Sequence, residues 1–492
     1  MQASNIKFGT DGWRGVIADD FTFANVRRVA QATALYWRAQ GGRAAIVGYD
    51  NRFLSEVYAK LVCEVFAANG ITALYPPESV PTPAVSFAVR DRRLCGAVMI
   101  TASHNPPLFN GYKVKADYAG PADPEICAAI ERQVDAAPVQ AVDFQAGVKT
   151  GQIELYDPRP AHVATVKKLI DLRAIKQARL RAVIDSMHGC GRRVLEDLLA
   201  GRDGPAFAPK AFGASAEQAR ARRSVETIRA DRDVNFGGTN PEPIGQNLGP
   251  LCAAVKRARA HIGLATDGDA DRLGVVDNAG RYVSIQIVFA LLLLHLLRHR
   301  GQTGQLVVRS TNVTVLIDRI AKAYNLPVAE VPVGFKHICS KMREADVLIG
   351  GEESGGIGFQ GHIPERDGIL ANLMLLELLT VTGKKFTRLA AELQQEFGRS
   401  VYDRIDLRYP LEKREQFIDA LRNDPPTALL GQPLAEVKTF DGVKYILRDE
   451  SWLMFRTSGT EPIIRIYSEA SSADRVKRLL GWGKRRAVAL GR

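Results

Sequence analysis

The chain has 492 residues, 46% of them hydrophobic and 24% charged, with a net charge of +12. That length allows three or four domains of ordinary size, and that composition excludes a disordered or low-complexity chain. The positive balance favours anionic partners, but lysine and arginine are dispersed and no basic block is interleaved with aromatics. Phosphorylated small molecules therefore fit the charge as well as nucleic acid does, and solvated surface charge is its plainest account.

Phe8-Gly9-Thr10-Asp11-Gly12-Trp13-Arg14-Gly15 comes first, a glycine-rich turn that suits a loop approaching a ligand, or simply an N-terminal turn. No apolar signal-peptide core precedes it, and the expectation is a cytoplasmic protein. The six cysteines (Cys63, Cys95, Cys127, Cys190, Cys252 and Cys339) have no Cys-x-x-Cys spacing, which points to neither a zinc ribbon nor a disulfide framework. Ala44–Asp50 reads as a strand, and Ser55 reads as the cap of an amphipathic helix running to Asn69, with Gly70 ending it. Ala97–Ile100 is a buried strand that must stop at Thr101-Ala102-Ser103-His104-Asn105-Pro106-Pro107, where small, polar and ring-locked residues follow. Such a loop presents a hydroxyl in a fixed place; an incidental serine in a strand-to-loop turn is the competing account.

Gly151 to Pro160 reads as a soft boundary. Arg181–Asp185, His261–Thr266 and Gln305–Arg309 read as further strands, each followed by a helical pattern, the βα alternation of mixed α/β domains. Asp267-Gly268-Asp269-Ala270-Asp271-Arg272 follows one of them. Read as an extended segment, it points alternate residues to one side, so that three carboxylates converge and repel until a hard divalent cation, best magnesium, relieves them. An EF-hand is excluded by Arg272 and Asn278 at its sixth and twelfth positions. An acidic exposed turn is the bland alternative.

A second boundary lies near Asp277 to Tyr282, and Ile287–Leu294 is too short to span a bilayer and reads as a buried helix. Gly350-Gly351-Glu352-Glu353-Ser354-Gly355-Gly356 follows the strand Val347–Ile349 and suits the vicinal hydroxyls of a sugar; a surface turn is equally compatible. Its Gly-x-Gly-x-x-Gly at 356–361 lacks the following helix that a dinucleotide site needs. A third boundary falls at Phe397 to Tyr402. Beyond it, Arg456-Thr457-Ser458-Gly459-Thr460-Glu461-Pro462 combines exposed backbone N–H groups, two hydroxyls and a forked cation, which makes a phosphate cradle or, taken alone, a polar hairpin.

Together these segments resemble the α-D-phosphohexomutase superfamily of phosphoglucomutases, phosphomannomutases and phosphoglucosamine mutases. The resemblance spans nearly the whole chain and keeps the family's order. Thr101 to Lys113, ending Asn110-Gly111-Tyr112-Lys113, resembles the phosphoserine loop, and Asp267 to Arg272 the metal loop. Glu352-Glu353-Ser354 resembles the sugar loop and Arg456 to Thr460 the phosphate loop; Asn240-Pro241-Glu242-Pro243 and Pro332-Val333-Gly334-Phe335-Lys336 are also family-like.

The resemblance implies an α/β protein of four domains around a central cleft. Three similar mixed α/β domains (1–155, 156–281 and 282–396) precede a smaller C-terminal α+β domain (397–492). It implies that Ser103 carries the phosphoryl group, and that Ser103, Asp267, Asp269 and Asp271 hold Mg²⁺. Lys113 and Arg14, with His104 beside the serine, assist proton transfer. Arg272, Gly334, Lys336, Glu352 and Ser354 bind substrate, and Arg456, Ser458, Gly459 and Thr460 hold its non-reacting phosphate.

The activity implied is reversible conversion of a hexose 1-phosphate and its 6-phosphate, through a 1,6-bisphosphate that turns over in the cleft. Glucose 1,6-bisphosphate is then intermediate and activator. Small hexose phosphates are the expected partners of a monomer or homodimer, with no nucleic acid and no membrane. Glu353, with Gly356 where mannose- and glucosamine-type loops carry histidine, is similar to the glucose-preferring group. A phosphomannomutase or broad hexose mutase is the alternative, and a non-catalytic sugar-phosphate binder a remote one. The missing histidines leave the second acid/base open among His337, His362 and Arg366.

Overall fold

The computed structural model describes residues 6–9, 12–200, 225–457 and 463–491, and four sheets organise them. The first has six strands in the order Gly12–Val16, Phe109–Ala116, Gly96–Ile100, Ala44–Tyr49, Thr72–Tyr75, Ile153–Leu155. The last four pair in parallel and the first two are joined antiparallel. The second runs Tyr282–Val283, Leu273–Val276, Ile262–Thr266, Ala182–Asp185, Val225–Ile228, and the third Val328–Val331, Leu306–Ser310, Val347–Gly351, Ile357–Phe359. The fourth is a six-stranded antiparallel sheet beginning at Val401–Arg408 and covered by the helix Ala473–Gly491.

One device recurs in the first three sheets. A strand with parallel partners ends in a loop, and an antiparallel strand returns beside it. Gly96–Ile100 returns as Phe109–Ala116, Ile262–Thr266 as Leu273–Val276, and Val347–Gly351 as Ile357–Phe359. The loops between them are 101–108, 267–272 and 352–356, at the carboxyl ends of parallel-paired strands, where open α/β sheets place ligands. The helix expected directly after His261–Thr266 is therefore a return strand. A short loop pinned at both ends by one strand pair holds its side chains more firmly than a loop leading into a helix.

Two further readings are corrected. Ser55 does not cap its helix: Leu54, in left-handed conformation, occupies that place, and the Ser55 hydroxyl donates to Asp50 Oδ1 at 2.9 Å. The segment Asp267–Arg272 is a turn with Ala270 at φ 59°, and the three carboxylates converge through that turn instead of by strand alternation.

The apolar run Ile287–Leu294 lies inside the helix Ile285–His299, which packs against the helix Gly368–Thr382. Both belong to one core shared by the second and third sheets, with Ile184, Leu264 and Val275 on one side and Val307, Leu348 and Ile349 on the other. That is why the run is apolar on every side. On the strand Phe109–Ala116, alternation sends Tyr112 and Val114 into the first unit's core, and Lys113 and Lys115 out toward the other units. Lys115 forms a fully buried ion pair with Glu365 of the third unit. Among the described residues, no helix is long and apolar enough to cross a membrane.

Candidate active site

Ser103 is buried and left-handed, at φ 51°. A non-glycine residue there costs of order 1–3 kcal/mol and persists only where its surroundings impose it. Thr101 Oγ1 accepts the Ser103 N–H at 2.8 Å, and Arg52 imposes the rest. The Arg52 guanidinium is fully buried and donates to the carbonyls of Ser103 (2.7 Å), Asn105 (2.7 Å), Pro106 (2.8 Å) and Phe109 (3.0 Å). Asp50 lies 3.2 Å from its Nε, and the Phe236 ring lies 5.1 Å from its guanidinium carbon. Sequence reasoning missed Arg52. The signal was Asp50-Asn51-Arg52, three polar residues at the carboxyl end of an apolar strand.

So presented, the Ser103 hydroxyl donates to Asp267 Oδ2 at 2.8 Å, with His104 Nδ1 at 3.4 Å. The reactive loop of the first unit thereby meets the acidic loop of the second. Asp267, Asp269 and Asp271 are buried and bring carboxylate oxygens within 4.8 Å of one another. Lys113 reaches across from the first unit, its Nζ 2.8 Å from Asp269 Oδ2 and 3.3 Å from Asp271 Oδ2. Arg366, from the third, places Nε 2.7 Å from Asp271 Oδ2, and Arg272 Nε is 3.9 Å from Asp271 Oδ1.

Burial and the neighbouring Asp269 and Asp271 push the Asp267 carboxyl well above the usual range. Burial acts the same way on Asp269, but Lys113 and Thr82 outweigh it and hold that carboxyl well below. Burial and the charges of Arg272, Arg14, Arg465 and Lys113 hold the His104 imidazole well below its ordinary value, so near neutral pH it is a proton acceptor.

The acidic loop fits a metal ion. Asp269 Oδ1 and Asp271 Oδ1 are buried without any hydrogen-bond partner. Buried carboxylate oxygens are rarely left so, and three carboxylates beside a serine hydroxyl are an all-oxygen donor set suited to a hard divalent cation. Three cations around three aspartates cancel only the aspartates' own charge, and leave to a bound cation the charge that a phosphoryl group on the serine would add.

The remaining candidates lie around this centre. Arg14 donates to Asn105 Oδ1 at 2.6 Å and so steadies the serine loop. Glu352 Oε1 accepts the Gly334 N–H at 3.0 Å, while Oε2 lies 3.5 Å from Arg366 Nη1. Lys336 is half-buried in the first turn of the helix Phe335–Glu344, and Ser354 is half-buried on its loop. Arg456 Nε is held by Asp441 at 3.0 Å, and Asp441 also accepts the Val333 N–H at 2.7 Å, linking the last unit to the Gly334 loop. Ser458, Gly459 and Thr460 lie outside the described residues.

Arg465, not singled out in the sequence, pairs directly with Arg456 across the last hairpin, which puts both residues on one face of the fourth sheet. The signal was its two-residue spacing from the strand residue Tyr467. Of the three acid/base candidates, Arg366 joins the acidic loop to Glu352. His337 is half-buried close to Asp441 and Arg456. His362 is turned away: its Nε2 and that of His162 meet the same Asp367 Oδ2, at 3.0 and 2.6 Å. Asp367 Oδ1 meanwhile caps the helix Gly368–Thr382, so this trio is a hydrogen-bonded brace between units.

Four family models match the chain in order. They are phosphoglucomutase/phosphomannomutase alpha/beta/alpha domains I, II and III, at residues 5–140, 160–280 and 286–397, and the C-terminal domain at 418–481. A phosphoglucomutase/phosphomannomutase of Thermococcus kodakarensis is 29% identical over 97% of this chain and 97% of its own. A protein of Pyrococcus abyssi assigned as a phosphoglucosamine mutase is 29% identical over 96% of each. A crystal structure from Thermus thermophilus, a phosphomannomutase by assignment, superposes with a TM-score of 0.82 at 35% identity, covering 98% of this chain and 99% of that one.

Proposed function

This chain belongs to the phosphoglucomutase/phosphomannomutase family, and on that premise we propose that it interconverts glucose 1-phosphate and glucose 6-phosphate through phosphorylated Ser103. The observation that carries the reading is the contact of the Ser103 hydroxyl with an all-aspartate cluster, inside a ring of cations drawn from three units. The units of this reading are residues 1–155, 156–281, 282–396 and 397–492; the four sheets agree with it except at the second boundary, where Tyr282–Val283 is the edge strand of the second sheet and moves that boundary just beyond it.

Asp267, Asp269 and Asp271, with the serine oxygen, would hold Mg²⁺, which when bound neutralises charge on the phosphoryl oxygens. The protein's own groups do the rest by position and charge. Arg52 and Thr101 hold the serine in its left-handed presentation. A hydroxyl oxygen of the sugar forms a bond to phosphorus as the bond from phosphorus to Ser103 Oγ breaks. The neutral His104 imidazole takes the proton that the sugar hydroxyl loses, and the departing Oγ takes a proton back to become the Ser103 hydroxyl, with Lys113 offsetting the negative charge between the two transfers. After the bisphosphate turns over, the steps reverse with the other phosphate, and Ser103 is again phosphorylated. Lys113, Arg366 and Arg272 offset the aspartates so that an anionic substrate can approach. Glu352 and Ser354 accept sugar hydroxyls, and Arg456 and the 458–460 loop hold the distal phosphate.

Gly356 supports the preference for glucose. A Cβ there would lie 2.7 Å from Arg366 Cδ and 3.3 Å from Glu352 Oε2, so the histidine of mannose- and glucosamine-type loops would have to displace the Arg366 side chain. The test is conversion of glucose 1-phosphate and mannose 1-phosphate side by side, with magnesium and a trace of glucose 1,6-bisphosphate. A large preference for glucose is expected; equal rates overturn the preference, and no turnover of either sugar overturns the assignment.

A further inference from the structure

Glu353 follows Glu352 in the sugar loop, yet its carboxylate is taken by another unit. Arg404, on the first strand of the fourth sheet, places Nη1 3.4 Å from both Glu353 oxygens. Its Nη2 lies 3.4 Å from Glu242 Oε1, in the Asn240-Pro241-Glu242-Pro243 loop of the second unit. One guanidinium thus joins three units. The side chains of Arg404, Glu353 and Glu242 are 21%, 12% and 14% exposed, so the node is largely withdrawn from water.

Both glutamates belong to loops of the candidate site. Pro241 O accepts the N–H of Gly268, which lies between the first two metal-loop aspartates, at 3.2 Å. Gly355 O accepts the Leu273 N–H at 3.1 Å, tying the sugar loop to the strand that leaves the metal loop. Two carboxylates on one fork repel each other as soon as the fork is withdrawn.

The residue just before this strand, Ser400, sits at an anchor of its own. Ser400 and Thr314 hydroxyls, the Trp452 indole N–H and the Val315 N–H all donate to the buried Glu469, at the junction of the third and fourth units. Ser400 lies at that fixed point, Arg404 further along, and Arg465 pairs with Asp406 beyond it. Arg404 lies on the same sheet as Arg456 and Arg465, so its grip on the two glutamates fixes that sheet against the two loops.

Resting on the function proposed above, we propose that Arg404 is a positioning residue that closes the last unit over the cleft, docking only when the sugar loop and the Asn-Pro-Glu-Pro loop stand at the separation its fork spans. Glu353 acts in this reading on closure and does not touch the sugar. Closure retains the bisphosphate between its two transfers.

The test compares wild type with Arg404→Met, Arg404→Lys and Glu353→Gln. Without any sugar, hydrogen exchange of the Val401–Arg408 strand and of the 353–356 loop is expected to accelerate about tenfold in Arg404→Met, and less in Arg404→Lys. In turnover, the glucose 1,6-bisphosphate needed for half-maximal activation should rise by about tenfold or more as the intermediate escapes, while one transfer from the bisphosphate to Ser103 stays within a few-fold. Glu353→Gln should shift both readouts the same way, which guards against a local folding defect in the arginine variants. Unchanged exchange in Arg404→Met and Glu353→Gln overturns the proposal. So does an unchanged bisphosphate requirement in an enzyme that turns over glucose phosphates. If wild type acts on neither sugar, the function reading fails alone, and the exchange measurement still decides the role of Arg404.

Discussion

Replacing Arg52 by lysine keeps the positive charge and removes the fork. The guanidinium serves four loop carbonyls at 2.7–3.0 Å through two terminal nitrogens, with Asp50 against its Nε. A single ammonium has three donors for these four carbonyls, so at least one loses its partner. A buried acceptor left unsatisfied costs about 1–3 kcal/mol, and water reaching the outer carbonyls brings the sum to about 3 kcal/mol. The loss is local, because Arg52 braces one loop. Exchange of the Ser103–Gly111 amides should accelerate about 100-fold, and turnover should fall by a similar factor as the serine leaves its left-handed presentation. Arg52→Met should do worse, because Asp50 is left as an uncompensated buried charge at about 3–5 kcal/mol, and adding Asp50→Asn should recover part of that. The assay is hydrogen exchange alongside steady-state kinetics. Exchange and turnover within about threefold of wild type in Arg52→Lys would show that the brace is not what holds the serine.

Ser103→Ala should abolish turnover and leave the melting temperature nearly unchanged; near-wild-type activity would refute the phosphoserine assignment. Gly268→Ala should slow transfer by about tenfold or more, because the added methyl would meet Ser103 O at 2.7 Å and Pro241 Cγ at 3.2 Å, parting the serine and acidic loops; unaltered kinetics would show that the two loops need no such contact. Removal of divalent ions should stop turnover, and adding magnesium should restore it; a protein active after exhaustive chelation would contradict the metal reading. Burial raises Glu330 and Glu377, but Arg309 with Lys438, and His295 with Arg300, outweigh it and hold both carboxyls at about 2 against an ordinary 4.5. The folded value lies below the unfolded one, so this stabilisation is complete above about 4.5 and is lost as the pH falls toward about 2. Glu330→Gln should flatten that acid limb in urea titrations, and an unchanged limb would remove Glu330 from it.

Much of the site was legible because its chemistry is local. Ser103 beside a strand end, three aspartates within five residues, two glutamates on a glycine-rich turn and an arginine before Thr-Ser-Gly-Thr are each readable from adjacent residues. Lys113 and Lys115 are readable as alternate strand residues, but their partners, Asp269 and Glu365, lie 156 and 250 residues away. No local pattern encodes which distant carboxylate a lysine meets. Arg52 and Arg404 escaped for the same reason: an isolated arginine reads as surface charge until the fold closes over it.

The sequence by itself determined the alternation of apolar strands and helices and the order of four chemical loops, since burial periodicity and turn chemistry act over a few residues. Only the tertiary structure decided that the acidic loop is a turn inside a hairpin, that Glu353 faces Arg404, and that Arg366 fills the space beside Gly356. Those outcomes depend on which units pack together, and the buried charges at their meeting point are tolerated only because partners from other units arrive at hydrogen-bond distance.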